Sequence, residues 1–142
     1  MRNIILIFIL FTVLLNASND VSTKIVATLL EQLAGNKYTV WLDTQTKKNV
    51  ITINEKHLHT RKHCKDASIL LLYSNTSIDN KCKNKIIFVL DYALLHKYRN
   101  AVGAFYWKKG RPNIVFIRPR LEKHKIKLNK SYDKYIEDSL LW

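Results

Sequence analysis

Ser68–Tyr73 reads SILLLY and Lys85–Leu90 reads KIIFVL, two runs whose interiors contain no polar residue. A strand with one wet face alternates apolar and polar side chains with period two. A short run without alternation reads as a strand covered on both faces. Two such strands in one small sheet imply helices on both faces, or a helix on one and a partner on the other. These twelve residues set the expectation of an α/β domain.

Further along, Ala101–Trp107 (AVGAFYW) and Asn113–Ile117 (NIVFI) flank the charged, turn-forming KKGRP of 108–112, which reads as a β-hairpin. A basic helix is expected to start at Pro119 and run to Lys127, since proline is tolerated in a first turn. A last helix over Tyr132–Leu140 is expected after a Ser131 cap, with Tyr132, Tyr135, Ile136 and Leu140 on its apolar stripe. Upstream, Val21–Ala34 has apolar residues at Val21, Ile25, Val26, Leu29, Leu30 and Leu33, which is helical spacing, with a stop at Gly35-Asn36. Tyr38–Leu42 (YTVWL) and Asn49–Ile53 (NVITI) read as strands joined by a hairpin or one tight helical turn. Residues 54–67 read as a loop, or as a poorly amphipathic helix capped by Asn54. The expected architecture is one small α/β domain with a mixed sheet of about five or six strands, flanking helices and a C-terminal hairpin-helix unit.

The N-terminus points to export. Arg2 precedes twelve residues, Ile4–Leu15, whose one polar member is Thr12, and Ala17 offers a small residue at a cleavage site. That is the pattern of a cleaved signal peptide, residues 1–17, with cleavage after Ser18 or retention as an anchor as the alternatives. The run is shorter than the roughly 20 apolar residues of a bilayer-spanning helix. Removal leaves a domain of 18–142, and loss of Arg2 takes the formal charge from +13 to +12. In a cytosolic protein that charge would suggest nucleic acid, but export argues against it. The expected partners are an envelope or inner-membrane protein with an acidic surface, anionic lipid head groups, or an anionic ligand, against a plain solvated lysine-rich surface.

Cys64 and Cys82 fall in what would be an oxidising compartment, where one disulfide is the natural reading. It would close a loop of 18 residues and can contribute roughly 3 kcal/mol. The competing reading is a metal site built on His57, His59, His63 and Cys64, although H-x-H-x3-H-C matches no tight structural zinc spacing. Asp43, Ser74 and Asp91 each follow a strand. If those strands are parallel, the three side chains share the edge where open α/β sheets bind ligands, or they simply start turns. Trp107, Lys108, Lys109 and Arg111 combine an aromatic with cations on the hairpin, a composition favoured at protein interfaces; the plain alternative sends Trp107 to the core and leaves the cations solvated. G-x-S-x-G, H-E-x-x-H, P-loop, G-x-G-x-x-G and C-x-x-C-H patterns are absent, so neither catalysis nor a bound cofactor is expected.

Over about residues 60–128 the order of elements resembles the YfiR-like family of small periplasmic proteins. Cys64 precedes the buried strand SILLLYS, a second buried strand IIFVLD ends in Asp91, and the glycine-containing hairpin AVGAFYW…NIVFI leads to a basic helix. The resemblance implies a non-enzymatic periplasmic regulator that restrains a membrane-bound diguanylate cyclase and responds to envelope redox state or stress, with Cys64 as the matching position. A different class also fits the strand-end residues: a small-ligand-binding lobe, like part of a transporter's periplasmic substrate-binding protein.

Overall fold

A computed structural model describes residues 21–43 and 53–140. The expected signal peptide and residues 49–52 of the NVITI run lie outside these residues, and Ile53 is buried without being in a strand.

The two apolar runs form β2 (Ile69–Leu72) and β3 (Ile86–Val89), paired in parallel with Ile69 beside Ile86 and Leu72 beside Val89. All four residues of β2 are fully buried, as unbroken apolar sequence requires. β1 (Val40–Leu42) pairs in parallel with β2. On the far side of β1, the chain at 59–61 adds hydrogen bonds from Val40 N–H to His59 O and from Arg61 N–H to Val40 O, covering what would be an open edge. β4 (Ala101–Lys108) is parallel to β3, and β5 (Arg111–Ile117) turns back antiparallel to β4. A short β6 (Ile136–Glu137) pairs in parallel with β5. The result is a six-stranded mixed sheet in sequential order, β1 to β6, within one small α/β domain.

The alternation of side chains sorts the core into two faces. Val40, Leu42, Ile69, Leu71, Phe88, Phe105 and Phe116 point to face one. There α1, residues 21–34, lays down Val26, Leu29, Leu30 and Leu33, the stripe its periodicity marks. Gly35 ends α1 at φ +80°, and its N–H bonds to Glu31 O at 2.8 Å. Leu70, Leu72, Ile87, Val89, Ala104, Val115 and Ile117 point to face two. Its cover is thin: short 3-10 turns, the four-residue α2 (Leu94–Lys97) with Leu95 buried, and the cysteines.

The hairpin is closed by Lys109 and Gly110 alone, with Lys108 paired to Arg111. Both turn residues have positive φ, +52° and +71°, the backbone of a type I′ turn. At Gly103, an added Cβ would come within 2.4 Å of Val115 O and 2.8 Å of the Phe116 ring. Glycine is therefore required where β4 presses against β5.

Two expectations are corrected at the C-terminus. The basic helix is α3, Arg118–Lys123, and ends four residues earlier than expected because Lys125 takes a left-handed conformation, φ +55°. No helix covers Tyr132–Leu140. A 3-10 turn over Lys130–Tyr135 leads into β6, and Asn129, not Ser131, is the cap, its side chain accepting from Ser131 N–H. The open edge of β5 captures Ile136 and Glu137 by backbone pairing with Phe116 and Ile117. Tyr132, Tyr135 and Ile136 still reach face one from this extended path, while Leu140 packs on face two.

Candidate functional site

Cys64, in the 3-10 turn Cys64–Asp66, and Cys82, in the turn Asn80–Cys82, form a disulfide with Cα atoms 6.0 Å apart. Cys82 is buried on face two. The bond joins the connection entering β2 to the connection entering β3, and the Lys85 ammonium donates to Lys65 O across the same gap at 3.0 Å. With both sulfurs bonded to each other, neither offers a thiolate to a metal. His57, His59 and His63 are exposed, and His59 sits edge-on to the Tyr38 ring at 5.3 Å. Among the described residues, no three His, Cys, Asp or Glu side chains gather as metal ligands.

The parallel strands do bring two of the three strand-end residues together. The Ser74 hydroxyl donates to Asp43 Oδ2 at 2.8 Å, and Asp43 is only 4 % exposed. Asp91 is turned elsewhere: it is exposed, and its Oδ1 accepts from Ala93 N–H ahead of α2. The feature without a mark in the sequence is Tyr98. Its hydroxyl lies 2.9 Å from Ser74 O and 2.8 Å from Thr76 O, and it accepts from Thr76 N–H at 2.6 Å. Burial pushes its pKa up, the Thr76 hydrogen bond opposes this, and the nearby Asp43 carboxylate adds to the rise. Tyr98 thus keeps its proton and pins the chain leaving β2. Nothing in HKYRN, residues 96–100, singles it out for this role.

A second pin acts beside it. The half-buried Arg120 of α3 donates from Nη1 to Leu95 O, Tyr98 O and Ala101 O at 3.1, 3.3 and 2.9 Å. Its pKa is lowered by burial and then by the charge of Arg99. Between the two pinned connections, over face two, lies a cavity of about 650 Å³ walled by residues 77–80 and 83 on one side and 97–100 on the other. A shallower apolar groove of about 460 Å³ lies on face one between α1 and the 130–135 turn. None of Asp43, Ser74 and Asp91 lines either one.

At the hairpin, Trp107 is half-buried, packs with face one and donates from its indole N–H to the buried Ser22 hydroxyl at 3.0 Å. It serves to dock α1 on the sheet. Lys108, Lys109 and Arg111 are exposed at the tip. Among the described residues, no helix is long and apolar enough to cross a membrane. Comparison with protein-family models, with curated proteins and with solved structures finds no match to this chain.

Proposed function

We propose that this protein is an exported, non-enzymatic regulatory or sensor module of the periplasm that acts by contact with an acidic envelope partner. The observation that carries the reading is the basic hairpin tip on a disulfide-bonded domain. Lys109 sits in the two-residue turn with Lys108 and Arg111 at the strand ends beside it, all three exposed, and among the described residues none of their side chains has an ion-pair partner. Three solvated cations on a fixed scaffold steer and orient an acidic surface. The Cys64–Cys82 disulfide supports an oxidising compartment. The resemblance to the YfiR-like family adds a partner class, the periplasmic part of a membrane-bound diguanylate cyclase. The ligand-lobe alternative has less support, because Asp43 and Ser74 bond to each other and Asp91 bonds within its own turn.

The test is crosslinking in whole cells from a photoreactive residue placed at Lys109. The expected product is an adduct with an inner-membrane protein that disappears when Lys108 and Arg111 are changed to Glu. An adduct unaffected by that charge reversal, or no membrane adduct, overturns the reading. Residue 18 as the N-terminus of the protein recovered from the envelope fraction is the expected mark of export.

A further inference from the structure

We propose that the cavity between residues 77–83 and 97–100 is a binding site for a phosphate-bearing small molecule. It is separate from the hairpin tip and stands whether or not the contact reading does.

The walls supply the charge. Lys83 comes from one side, and Lys97 and Arg99 from the other. Among the described residues, no carboxylate pairs with any of the three. The single carboxylate in the lining, Asp79, is engaged: its Oδ1 accepts Lys81 N–H as the cap of the Asn80–Cys82 turn. The cavity therefore carries an excess of two positive charges. Arg99 also lies close enough to Arg120 for the two guanidinium charges to oppose each other, which an incoming anion would relieve.

Exposed cations are ordinary on a chain of this charge, but these three are arranged differently. They converge on a concavity of about 650 Å³, in the size range of small-molecule sites. Concave walls of low dielectric focus a positive potential. Both walls are also held in place before any ligand arrives. The disulfide at Cys82 anchors one, between Asn80 and Lys83. Tyr98 and Arg120 fix the other through the hydrogen bonds to 74–76 and to the carbonyls of 95, 98 and 101. With the backbone of both walls fixed, binding has to order only the lysine and arginine side chains and not the connections that carry them, which favours affinity.

The chemistry selects the ligand class. A guanidinium and two ammonium groups suit a multiply charged oxyanion better than a lone carboxylate. The side-chain amides of Asn80 and Asn100 add neutral donors at the rim. Ile87 and Ile78 give an apolar surface within the same cavity, which suits an ester carrying a small organic group more than bare phosphate.

The experiment is calorimetric titration of the oxidised protein as recovered from the envelope fraction with inorganic pyrophosphate and, separately, with phosphatidylglycerol vesicles. Saturable pyrophosphate binding is expected, weakened about 10-fold or more by Lys83→Ala with Arg99→Ala. Lys108→Ala with Lys109→Ala removes equal charge from the hairpin and is expected to change binding by no more than about two-fold. Both cavity residues are exposed, so the variant should keep its melting temperature, and Lys97→Glu repeats the test from a separate position. Pyrophosphate binding without vesicle binding identifies a soluble phosphate ester. Vesicle binding lost in the cavity variant identifies a lipid headgroup, and both outcomes support the site. Equal weakening by the cavity and hairpin pairs, or no saturation with either probe, overturns it. Loss of the hairpin crosslink leaves this result untouched, so the two proposals fail separately.

Discussion

The two faces of the sheet are held by different physics. On face one, the helix over residues 21–34 sets Val26, Leu29, Leu30 and Leu33 against Phe88, Phe105 and Phe116, the largest fully buried side chains among the described residues. On face two the sheet offers smaller residues, among them Ala101, Ala104, Val89 and Val115, and the cover is turns and one four-residue helix. A helix satisfies its own backbone and arrives with a continuous apolar stripe. Short connections do neither, so side chains must bond their backbone groups and hold them down. On face two the Tyr98 hydroxyl and the Arg120 guanidinium bond those backbone groups, and the disulfide ties two of the connections together. The cavity proposed as a phosphate site lies on that pinned side, where loops are shaped by specific bonds and not by bulk burial.

The largest effect expected from breaking this contrast is removal of the disulfide. Cys64→Ser with Cys82→Ser should lower stability by about 3 kcal/mol, read from the urea midpoint. Amide exchange should rise first over residues 63–85 and last over 21–34. Equal loss of protection in both would make the two faces one cooperative unit. Next comes Gly103→Ala, which forces a methyl toward Val115 O and the Phe116 ring; about 2 kcal/mol of destabilisation is expected in thermal melts, with the disulfide intact. A Gly103→Ala variant as stable as the parent would mean that β4 and β5 can part at no cost.

Tyr98→Phe removes one hydroxyl that serves three backbone groups, and about 1–2 kcal/mol should be lost. The same residue carries a pH signature. Burial raises the phenol pKa of Tyr38, Tyr73, Tyr92, Tyr98 and Tyr106. Above about pH 10 the unfolded chain therefore releases phenolic protons that the folded chain still holds, and stability falls as pH rises. The decline should be shallower in Tyr98→Phe, and an identical slope would show that Tyr98 ionises as freely folded as unfolded. The smallest change is a gain. Lys109 is held at φ +52° without glycine's freedom, so Lys109→Asn should stabilise the hairpin by about 0.5 kcal/mol, visible as a higher melting temperature.

The core of this fold is legible because its signals are local. SILLLY and KIIFVL declare two-sided burial by lacking alternation, the 21–34 stripe declares a helix, and KKGRP between two β-rich runs declares a hairpin. The C-terminal segment misleads because Tyr132, Tyr135 and Ile136 satisfy a helical stripe and a turn-plus-strand equally well. The unpaired edge of β5, invisible in the segment itself, makes the choice. The strand-end residues are legible as a set but only partly assembled. Parallel pairing brings Asp43 to Ser74, while Asp91 finds a nearer backbone partner.

By itself the sequence determined the α/β class, the two buried strands, the first helix, the hairpin and the presence of two cysteines, all readable from neighbours a few residues apart. Which cations matter was decided by tertiary structure. In a chain with 24 lysines and arginines, Lys83, Lys97 and Arg99 have no local mark. They become a site because a disulfide and two side-chain pins hold separate connections around one cavity. Convergence across distant segments is a property of the fold's closure, and no short-range pattern records it.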